Sequence, residues 1–566
     1  MRILSKNVRR IPIFFNSIIP TFVLMREEKN TVMQLDKRLV YGVFGLILFM
    51  LLVNNGLSLW DQDEAAYAGF GKRMLEQGDW LIPDFPWSDV HRKTPFHFWN
   101  ISLSYTLFGI SEFTMRLSSV AYTFGTMLLI FFALRQYIGE RIALTASVVL
   151  AASFLVPSLA KVAVTDATLL FFSTLCAISI VKVIIDFKWK WVLIFWLSFA
   201  IALLTKGPPI IIFTGGMAGL VLILSPKRWN LLHFHPWFGI PLACLPLYLW
   251  GRATVDVDGG VFISWMYDWY VLKRISGSVF GQTGPPGTHL LGMILFFLPF
   301  TLFIPKVFRD LLHRFKERTG VYFLITIWFI AGWLIYEFSA SKLPAYVIVA
   351  HVPFSILIAK ALVDLDLSKQ LSSVRWRNML TVFVFFIFIA ISVFPFMISW
   401  AASLRTALLI ICPLFLGFHI YNLWNKRGFK VSWFLGAWLM FQVVSWTFVY
   451  PIVDDYKNTT KELAEDLCSI LKSETRVYVA NPQGRPPSLF FYLESCFETV
   501  EEEFRLGTLQ DAYESDEPAV LILKDHQLEN FELKYGQLEY LIYEASLSDR
   551  KHPTLYYIIY NYSAKL

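Results

Sequence analysis

Long apolar stretches recur along nearly the whole chain, and they constrain its fold more than any other feature. A bilayer core of about 30 Å is crossed by roughly 20 apolar residues of helix. Stretches of this kind lie near thirteen positions: 39–59, 115–134, 142–160, 167–186, 190–205, 207–225, 236–252, 288–305, 320–338, 343–362, 378–400, 403–422 and 431–450. The sequence therefore predicts an α-helical polytopic membrane protein with about thirteen spans.

The composition agrees with a membrane environment. Hydrophobic residues make up 56% of the 566 residues and charged residues only 16%, whereas a soluble domain is about half apolar and a quarter charged. The net charge of +7 is spread over short loops and forms no single basic patch. We therefore expect membrane lipid as surroundings and no nucleic acid as partner.

Basic residues concentrate in alternate loops, which predicts the topology. Cytoplasmic loops of membrane proteins are enriched in Lys and Arg. With a cytoplasmic N-terminus, the basic loops hold Lys37, Arg38, Arg135, Arg141, Lys182, Lys188, Lys190, Lys227, Arg228, Lys306, Arg309, Arg314, Lys316, Arg318, Lys369, Arg375, Arg377, Lys426, Arg427 and Lys430. An odd number of spans then places the C-terminal part outside.

The chain divides into three parts. Residues 1–36 form an N-terminal segment that is either interfacial or upstream of the true start, because its apolar stretch is too short to span and lacks a cleavage site. Residues 37–450 form the membrane domain, with long external loops at 60–114 and 253–287. The first loop contains two amphipathic helical patterns, Glu64–Gln77 and Phe96–Phe108, which are typical of helices lying along the interface.

Residues 451–566 have a soluble composition and predict a small α/β domain. Short strand patterns alternate there with helical patterns; the strands are Arg476–Ala480, Ala519–Lys524 and Thr554–Tyr562, and the helices are Thr460–Leu471 and Thr508–Tyr513. Five cysteines are too few for a disulfide framework. Cys468 and Cys496 can pair only if the domain faces an oxidising compartment, and the sequence leaves this open.

Two acidic positions are candidates for catalysis. Asp63 and Glu64 follow the first span, and Asp166 lies at the external end of the fourth. Partial desolvation at a membrane boundary raises the basicity of a carboxylate, which suits a general base. The alternative is helix capping, by Asp61 or Asp63 at the first position and by Thr165 or Asp166 at the second.

External cations near these acids suggest a site for a phosphate. They are Lys93, Lys206, Arg274 and Lys342, with Tyr346 close behind. Lys, Arg and Tyr donate the hydrogen bonds that a phosphate ester accepts. The alternative is that each long side chain reaches the headgroups independently.

No metal or nucleotide motif accompanies these residues. His91, His97 and His289 lack the spacing of metal ligands, and His97 is expected at the interface. No nucleotide-binding fingerprint is present, which disfavours ATP or a nucleotide sugar as a donor. The sequence predicts no particular cofactor, and a divalent metal stays an open alternative.

A set of motifs resembles the bacterial aminoarabinose transferase family, part of the protein O-mannosyltransferase-like glycosyltransferases of the GT-C fold. The motifs occur in the family's order, between about residues 37 and 360: Asp63-Glu-Ala-Ala-Tyr67, Met74-Leu-Glu-Gln-Gly-Asp-Trp80, Lys93-Thr-Pro-Phe-His-Phe-Trp99, Ala163-Val-Thr-Asp166, Leu204-Thr-Lys-Gly-Pro-Pro209 and Ser341-Lys-Leu-Pro-Ala-Tyr346.

The resemblance implies a glycosyltransferase of the bacterial inner membrane whose donor is a sugar on a polyprenyl (undecaprenyl) phosphate and whose acceptor lies on the periplasmic side, commonly lipid A. Asp63 matches the catalytic aspartate, and Asp166 matches a second functional carboxylate. The implied substrate-binding residues are Glu64, Tyr67, Lys93, Lys206, Arg274, Lys342 and Tyr346.

The chain also departs from the family. Arg92-Lys-Thr-Pro stands where relatives often have Glu-Lys-Pro-Pro, and Trp265–Tyr270 lacks the family's His. These departures remove ligands that a divalent metal would need, and they leave the sugar and the acceptor open.

Three other readings remain open. A protein O-glycosyltransferase of the same superfamily differs only in its acceptor. A flippase or transporter of lipid-linked sugars would carry charges within its spans and paired repeats, whereas the charges seen here lie in external loops. A non-catalytic envelope assembly protein would have no need of Asp63, Lys93 and Arg274.

Overall fold

The computed structural model describes residues 35–273, 283–339, 341–397, 402–425, 429–454, 460–480, 486–545, 554–561 and 564. The N-terminal segment at 1–36 therefore lies outside the described residues, apart from its last two.

Helices dominate residues 37–454. In chain order, the α-helices are α1 Lys37–Leu52, α2 Asp63–Gln77, α3 Phe96–Phe108, α4 Glu112–Ile138, α5 Glu140–Ala151, α6 Leu155–Ser158, α7 Thr165–Ile185, α8 Trp189–Lys206, α9 Pro208–Leu224, α10 Pro236–Asp258, α11 Val261–Tyr267, α12 Thr288–Phe296, α13 Ile304–Glu317, α14 Val321–Glu337, α15 Ile348–Leu367, α16 Val374–Val393, α17 Ala402–Trp424, α18 Val431–Val444 and α19 Tyr450–Asp454.

The chain is a multi-pass membrane protein. Within the described residues, seven helices are long and apolar enough to cross a bilayer, and an eighth crossing is possible if the bent pair around Phe296–Phe300 counts as one span. Pro208–Leu224 and Val321–Glu337 are shorter apolar helices. A helix occupies each of the thirteen predicted stretches, while the number that cross the membrane stays a prediction.

The tight hairpin between α8 and α9 shows how sequence fixes the path of the chain. Gly207 adopts a φ of 64°, a conformation that side chains with a Cβ rarely adopt. Pro208 then occupies the first turn of α9, where its missing N–H costs nothing. Lys206 is the last residue of α8, and it lies beside the first turn of α7.

Helices α2 and α3 form at the two positions predicted in the first external loop, while their placement along the membrane interface stays a prediction. They pack against each other, and apolar side chains of both belong to the same buried cluster as side chains of the C-terminal region. Phe70 of α2 and Phe98 of α3 are fully buried in this cluster, with ring centroids 5.0 Å apart. The first external loop and the C-terminal region therefore share one hydrophobic core.

The C-terminal region is an α/β domain, as predicted. Its helices are α20 Thr460–Ile470, α21 Pro487–Leu493, α22 Leu506–Glu514 and α23 Asp525–Tyr535, and its strands are β1 Arg476–Val479, β2 Thr499–Glu502, β3 Ala519–Leu523, β4 Leu541–Ala545 and β5 Thr554–Tyr560. The sheet order is β2-β1-β3-β5-β4. The pairs β1–β2 and β1–β3 are parallel, and β3–β5 and β4–β5 are antiparallel. β3 is central and buried throughout, which explains its uninterrupted apolar sequence.

A disulfide joins Cys468 in α20 to Cys496 after α21. This answers the question that the sequence left open. The bridge ties α20 and α21 together at one edge of the domain, and α21 is the helix that contacts the first external loop.

Removing this bridge should loosen the C-terminal domain. Because it closes a loop with a sequence separation of 28 residues, loop-closure entropy predicts that Cys468→Ser/Cys496→Ser loses about 3–4 kcal/mol of unfolding free energy. Denaturant unfolding of the purified protein measures the loss, with Cys244→Ser, a free thiol, as the control. Equal stability of the double variant and the wild type would contradict the assignment.

Candidate functional site

The carboxylate of Asp63 lies at the start of α2, among three polar side chains. Its Oδ1 accepts a hydrogen bond from the Tyr67 hydroxyl at 3.0 Å and lies 3.1 Å from Nδ1 of His91. The Lys93 ammonium is 3.6 Å away and also contacts the Tyr67 hydroxyl. The Asp63 side chain is 57% exposed, so the group is held from one side and open on the other.

The cations beside Asp63 decide its ionisation. Desolvation opposes the charge, but Lys93 and His91 outweigh it and hold the pKa of Asp63 well below its usual range. The predicted rise in basicity through desolvation is therefore wrong for the free protein. The carboxylate is always ionised at neutral pH, which suits a group that orients an acceptor hydroxyl and receives its proton late.

A second pair of charges adjoins the first. Lys206 donates to Oδ1 of Asp166 at 2.7 Å, and both side chains are largely buried. Burial lowers the pKa of Lys93. The positive charge of Lys206 lowers this pKa further, whereas the negative charges of Asp63 and Asp166 raise it. Asp63, Lys93, Lys206 and Asp166 thus form one cluster of alternating charge.

Helix capping does not account for either acid. Residues 62 and 164 are the N-cap positions of α2 and α7, and neither makes a side-chain capping bond. Asp63 and Asp166 instead occupy the first turns of the two helices, where a negative charge is favourable. The capping alternative is wrong at both positions, because the carboxylates are engaged with cations from other parts of the chain.

The structure overturns the predicted substrate-binding role of Glu64. Its two carboxylate oxygens accept from Nε and Nη2 of Arg116 at 2.7 Å each, and both side chains are fully buried. The same carboxylate accepts from the backbone N–H groups of Trp60 and Ala163. Since these donors occupy both oxygens, Glu64 fixes the loop and faces no substrate.

Arg116 extends this anchoring to the residues before α2. Its Nη1 donates to the carbonyls of Asn55 and Leu57 and its Nη2 to that of Ser58, at 2.7–2.9 Å. A buried guanidinium with this many partners holds a loop in one conformation. The sequence offered a signal that was missed, namely an Arg near the start of an otherwise apolar span, where charge is rare.

Lys342 is also placed differently from the prediction. It is 9% exposed and donates to the backbone carbonyls of Tyr336 and Glu337 at 3.1 and 2.6 Å. It therefore stabilises the C-terminal end of α14, which carries a partial negative charge, and these contacts engage two of its three N–H donors.

The hairpin that carries Lys342 nevertheless brings Tyr346 towards the site. The rings of Tyr346 and Tyr336 are 5.9 Å apart, and Tyr336 lies within electrostatic range of Asp166. Arg274, the remaining predicted phosphate ligand, lies outside the described residues.

The two histidines beside Lys93 have distinct roles. His97 was expected at the interface, yet it is fully buried, 3.1 Å from both the Thr168 hydroxyl and the Ala163 carbonyl. Burial lowers its pKa to about 4, so it joins α3 to α7 as a neutral ring. His91, which no prediction placed in the site, contacts Asp63 directly.

The C-terminal domain clamps the loop that leads into α2. The Ser488 N–H and hydroxyl both donate to the Asp61 carboxylate, and the Tyr492 hydroxyl accepts from the Leu59 N–H at 2.8 Å. Glu494 bonds to Lys72 at 3.1 Å and to Arg73 at 3.3 Å. Helix α21 and Glu494, which follows it, thus hold the loop two residues before Asp63 and the third turn of α2.

The clamp should respond to pH through Asp61. Burial raises the pKa of Asp61 from 3.8 to about 6, and the hydrogen bonds from Ser488 only partly offset this. An acid whose folded-state pKa is raised binds more protons when folded, so its contribution to stability falls as pH rises between these two values. The substitution Asp61→Asn should remove this pH-dependent loss of stability, because Asn does not ionise.

We therefore expect Asp61→Asn to gain stability relative to the wild type as pH rises from about 4 to about 6, and then to hold a constant difference. Thermal unfolding in detergent across this range measures it. Asp511→Asn, at an exposed position of α22, is the control and should show no trend. A constant difference for Asp61→Asn would contradict the assigned cause.

The described residues contain no group of three or more His, Cys, Asp or Glu side chains that could hold a metal ion. The residues around Asp63 are a carboxylate, a phenol, an imidazole and an ammonium, which together do not form a ligand set for a divalent cation.

The fold defines a class of protein. The structure superimposes on ArnT from Cupriavidus metallidurans in the apo state with a TM-score of 0.72 and 18% identity, over 93% of this chain and 98% of that one. The same protein bound to undecaprenyl phosphate gives a TM-score of 0.71 at 18% identity, over 92% and 97% of the two chains. This chain therefore has the GT-C fold.

Sequence relatives agree with the fold. The family model described as dolichyl-phosphate-mannose-protein mannosyltransferase matches residues 92–250. The undecaprenyl phosphate-α-4-amino-4-deoxy-L-arabinose arabinosyl transferase 2 of Proteus mirabilis is 22% identical over 61% of this chain and 63% of its own length. The corresponding transferase of Edwardsiella ictaluri is 26% identical over 55% and 57%.

The chain thus spans about 60% of the length of the curated relatives it matches. It is similar to the aminoarabinose transferases in sequence and shares the fold of a solved one.

Proposed function

We propose that this protein is a glycosyltransferase that moves a sugar from a polyprenyl (undecaprenyl) phosphate carrier to lipid A. The observation that carries the proposal is the charge cluster of Asp63, Lys93, Asp166 and Lys206 at one end of the spans of a GT-C fold. Such a cluster combines a carboxylate that would bind the acceptor hydroxyl with ammonium groups that would bind the phosphate released from the donor.

Each residue has a task that its geometry permits. Asp63, open to solvent on one side, would orient the acceptor hydroxyl and receive its proton as the new glycosidic bond forms. Lys93 would bind the phosphate oxygens and stabilise the charge that builds on them as the sugar–phosphate bond breaks. Engagement of Lys93 by phosphate would reduce its hold on Asp63 and raise the basicity of that carboxylate in the loaded enzyme.

Asp166 and Lys206 would support the same transfer from the neighbouring helices. Their 2.7 Å pair lies where α7 begins and α8 ends, so the ammonium of Lys206 is held near Lys93 without free rotation. We propose that Lys206 adds positive charge for the lipid phosphate and that Asp166 positions it. Tyr67 and Tyr346 would donate hydrogen bonds to the same ligand, and Arg274 stays a predicted phosphate ligand.

The contacts of α21 with the loop before Asp63 and the disulfide support a proposal for the side of the membrane on which the reaction takes place. We propose that residues 451–566 form a domain in the periplasm, where an oxidising environment keeps Cys468 and Cys496 joined. The N-terminus would then be cytoplasmic, and the membrane would be the bacterial inner membrane. Because α21 holds the loop before Asp63, the active site would face the same side as this domain.

Two observations bear on the alternative functions of the protein. The family model over residues 92–250 names a protein acceptor, which keeps a protein O-glycosyltransferase as the second candidate. A flippase is less well supported. Arg116 does place a charge within a span, but its side chain is paired with Glu64 and therefore cannot bind a substrate that moves across the membrane.

The experiment that tests the proposal follows a labelled sugar in isolated membranes that contain the protein or lack it. We expect the label to leave the polyprenyl-phosphate pool only when the protein is present, and to appear in the lipid A fraction. Label in the protein fraction would replace lipid A by a protein acceptor. Label that crosses the membrane still attached to its lipid would refute the transferase and support a flippase.

Lys93→Gln should weaken the binding of the lipid phosphate. Charge-assisted hydrogen bonds contribute about 1.5–3 kcal/mol, so the dissociation constant for polyprenyl phosphate should rise about 10- to 100-fold. Tryptophan fluorescence of the purified protein titrated with this lipid measures it. Lys369→Gln, which removes the same charge from a distant loop, should bind as the wild type does; equal affinity of both variants would contradict the role of Lys93.

A further inference from the structure

Two adjoining cavities open at the other end of the membrane domain. One has a volume of about 650 Å³ and is lined by Lys306, Arg309 and Tyr322 among others. The second, of about 250 Å³, is lined by residues that include Lys227 and Arg318. Residues 319–321, the turn before α14, line both, so the two cavities form one basic recess.

The recess is separated from the Asp63 cluster by the thickness of a bilayer. Helix α7 has Asp166 in its first turn and ends at Ile185, which lines the smaller cavity. Its 21 residues correspond to about 31 Å of helix. The recess is therefore a different place from the proposed catalytic site, and its charges have no part in the chemistry there.

Pairing within the recess leaves an excess of positive charge. Of the two acidic residues that line it, Asp310 is paired with Lys306 at 2.9 Å and Asp364 with Lys360 at 2.5 Å. Among the described residues, Arg309, Arg318 and Lys227 have no carboxylate within ion-pair distance. Three cations around one concave space, with the acids already neutralised, are complementary to an anion.

The surroundings of the recess place it at the level of lipid headgroups. The chain bends by 117° between α12 and the helical segment Phe300–His313, which includes most of α13. Helix α13 combines basic residues with an apolar side chain, Leu312, that is 71% exposed. Such helices lie along the membrane surface. Trp229, beside Lys227, is 66% exposed, as expected of an aromatic side chain at the membrane interface.

We propose that this recess binds the phosphodiester headgroup of an anionic phospholipid. Arg309 and Arg318 donate to the phosphate oxygens from opposite sides of the turn at residues 319–321, and Lys227 adds charge from the smaller cavity. The acyl chains extend along the exposed apolar surface of the neighbouring helices. Basic pockets between membrane helices are suited to such headgroups. The site does not depend on the proposed catalytic function.

Native mass spectrometry of the full-length protein, titrated with phosphatidylglycerol in detergent, tests this proposal. Each cation contributes about 1 kcal/mol to the attraction of an anionic lipid, so Arg309→Gln/Arg318→Gln should bind it about 30-fold more weakly. Lys369→Gln/Arg375→Gln removes two cations outside the recess and should bind as the wild type does. Thermal unfolding of each variant confirms that it is folded.

Two further binding measurements, with phosphatidylcholine and with inorganic phosphate, define the ligand. Phosphatidylcholine, which carries no net charge, should bind weakly and equally to all variants. An excess of inorganic phosphate should leave phosphatidylglycerol bound, because the phosphate lacks the acyl chains. Full displacement by phosphate would overturn the proposal in favour of a soluble anion, and equal binding of phosphatidylglycerol by both double variants would overturn the site.

Discussion

Asp63→Asn should abolish sugar transfer while leaving the protein folded. Asn keeps the size of the side chain but cannot receive a proton, and loss of a general base lowers a rate by about 10²- to 10⁴-fold. Because the Asp63 side chain is 57% exposed and pairs with cations at one edge, removing its charge should affect folding little. Release of polyprenyl phosphate from a labelled donor, at matched expression, measures the rate.

Glu76→Gln is the matched control for this variant. Glu76 lies on the same helix, α2, at an exposed position, so the substitution removes one negative charge from the same element without touching the cluster. Its transfer rate should equal that of the wild type. If Asp63→Asn also retained the full rate, Asp63 would be neither the base nor the group that orients the acceptor.

Glu64→Gln should destabilise the protein strongly, although the change is only one atom. It leaves the Arg116 guanidinium buried without its counter-charge, and breaking a buried pair in this way costs about 3–5 kcal/mol. The expected result is a much lower yield of folded protein and a lowered Tm. A substrate-binding role would instead raise KM and leave the Tm unchanged.

A double variant separates lost charge balance from lost shape. Glu64→Gln/Arg116→Met removes both charges, and replacing a whole buried pair by groups of similar volume is often nearly neutral. We expect the double variant to recover part of the lost Tm, measured in the same detergent. It should not recover all of it, because Arg116 also holds the carbonyls of Asn55, Leu57 and Ser58. A double variant less stable than Glu64→Gln would contradict the interpretation.

The sequence was sufficient for the architecture because hydrophobic length and periodicity are local properties. The apolar stretches, α2, α3 and the alternating strands and helices after residue 451 could each be read from neighbouring residues. Helices α21 and α23 and strands β2 and β4 were not predicted. Three of the four residues of β2, Thr499–Glu502, are polar, and its place at the edge of the sheet is set by pairing with β1, a partner more than 20 residues away.

The site was only partly predictable, because several of its contacts join residues that are far apart in the sequence. The motif resemblance brought Asp63, Lys93, Asp166 and Lys206 together, and the structure places them in one cluster. Residue type alone could not tell Glu64 from Asp63, since the two adjacent carboxylates point to opposite sides: one towards buried Arg116, the other towards open space. The contact of Ser488 with Asp61 joins residues 427 positions apart, and no local pattern announces it.

The most direct test of the central claim uses the purified protein in vesicles that contain a polyprenyl-phosphate-linked labelled sugar and lipid A. Two products are followed together: free polyprenyl phosphate and labelled lipid A. A glycosyltransferase must form them in equal amounts, and neither should form with Asp63→Asn. Donor that reaches the opposite leaflet intact, with no free polyprenyl phosphate released, would contradict the account.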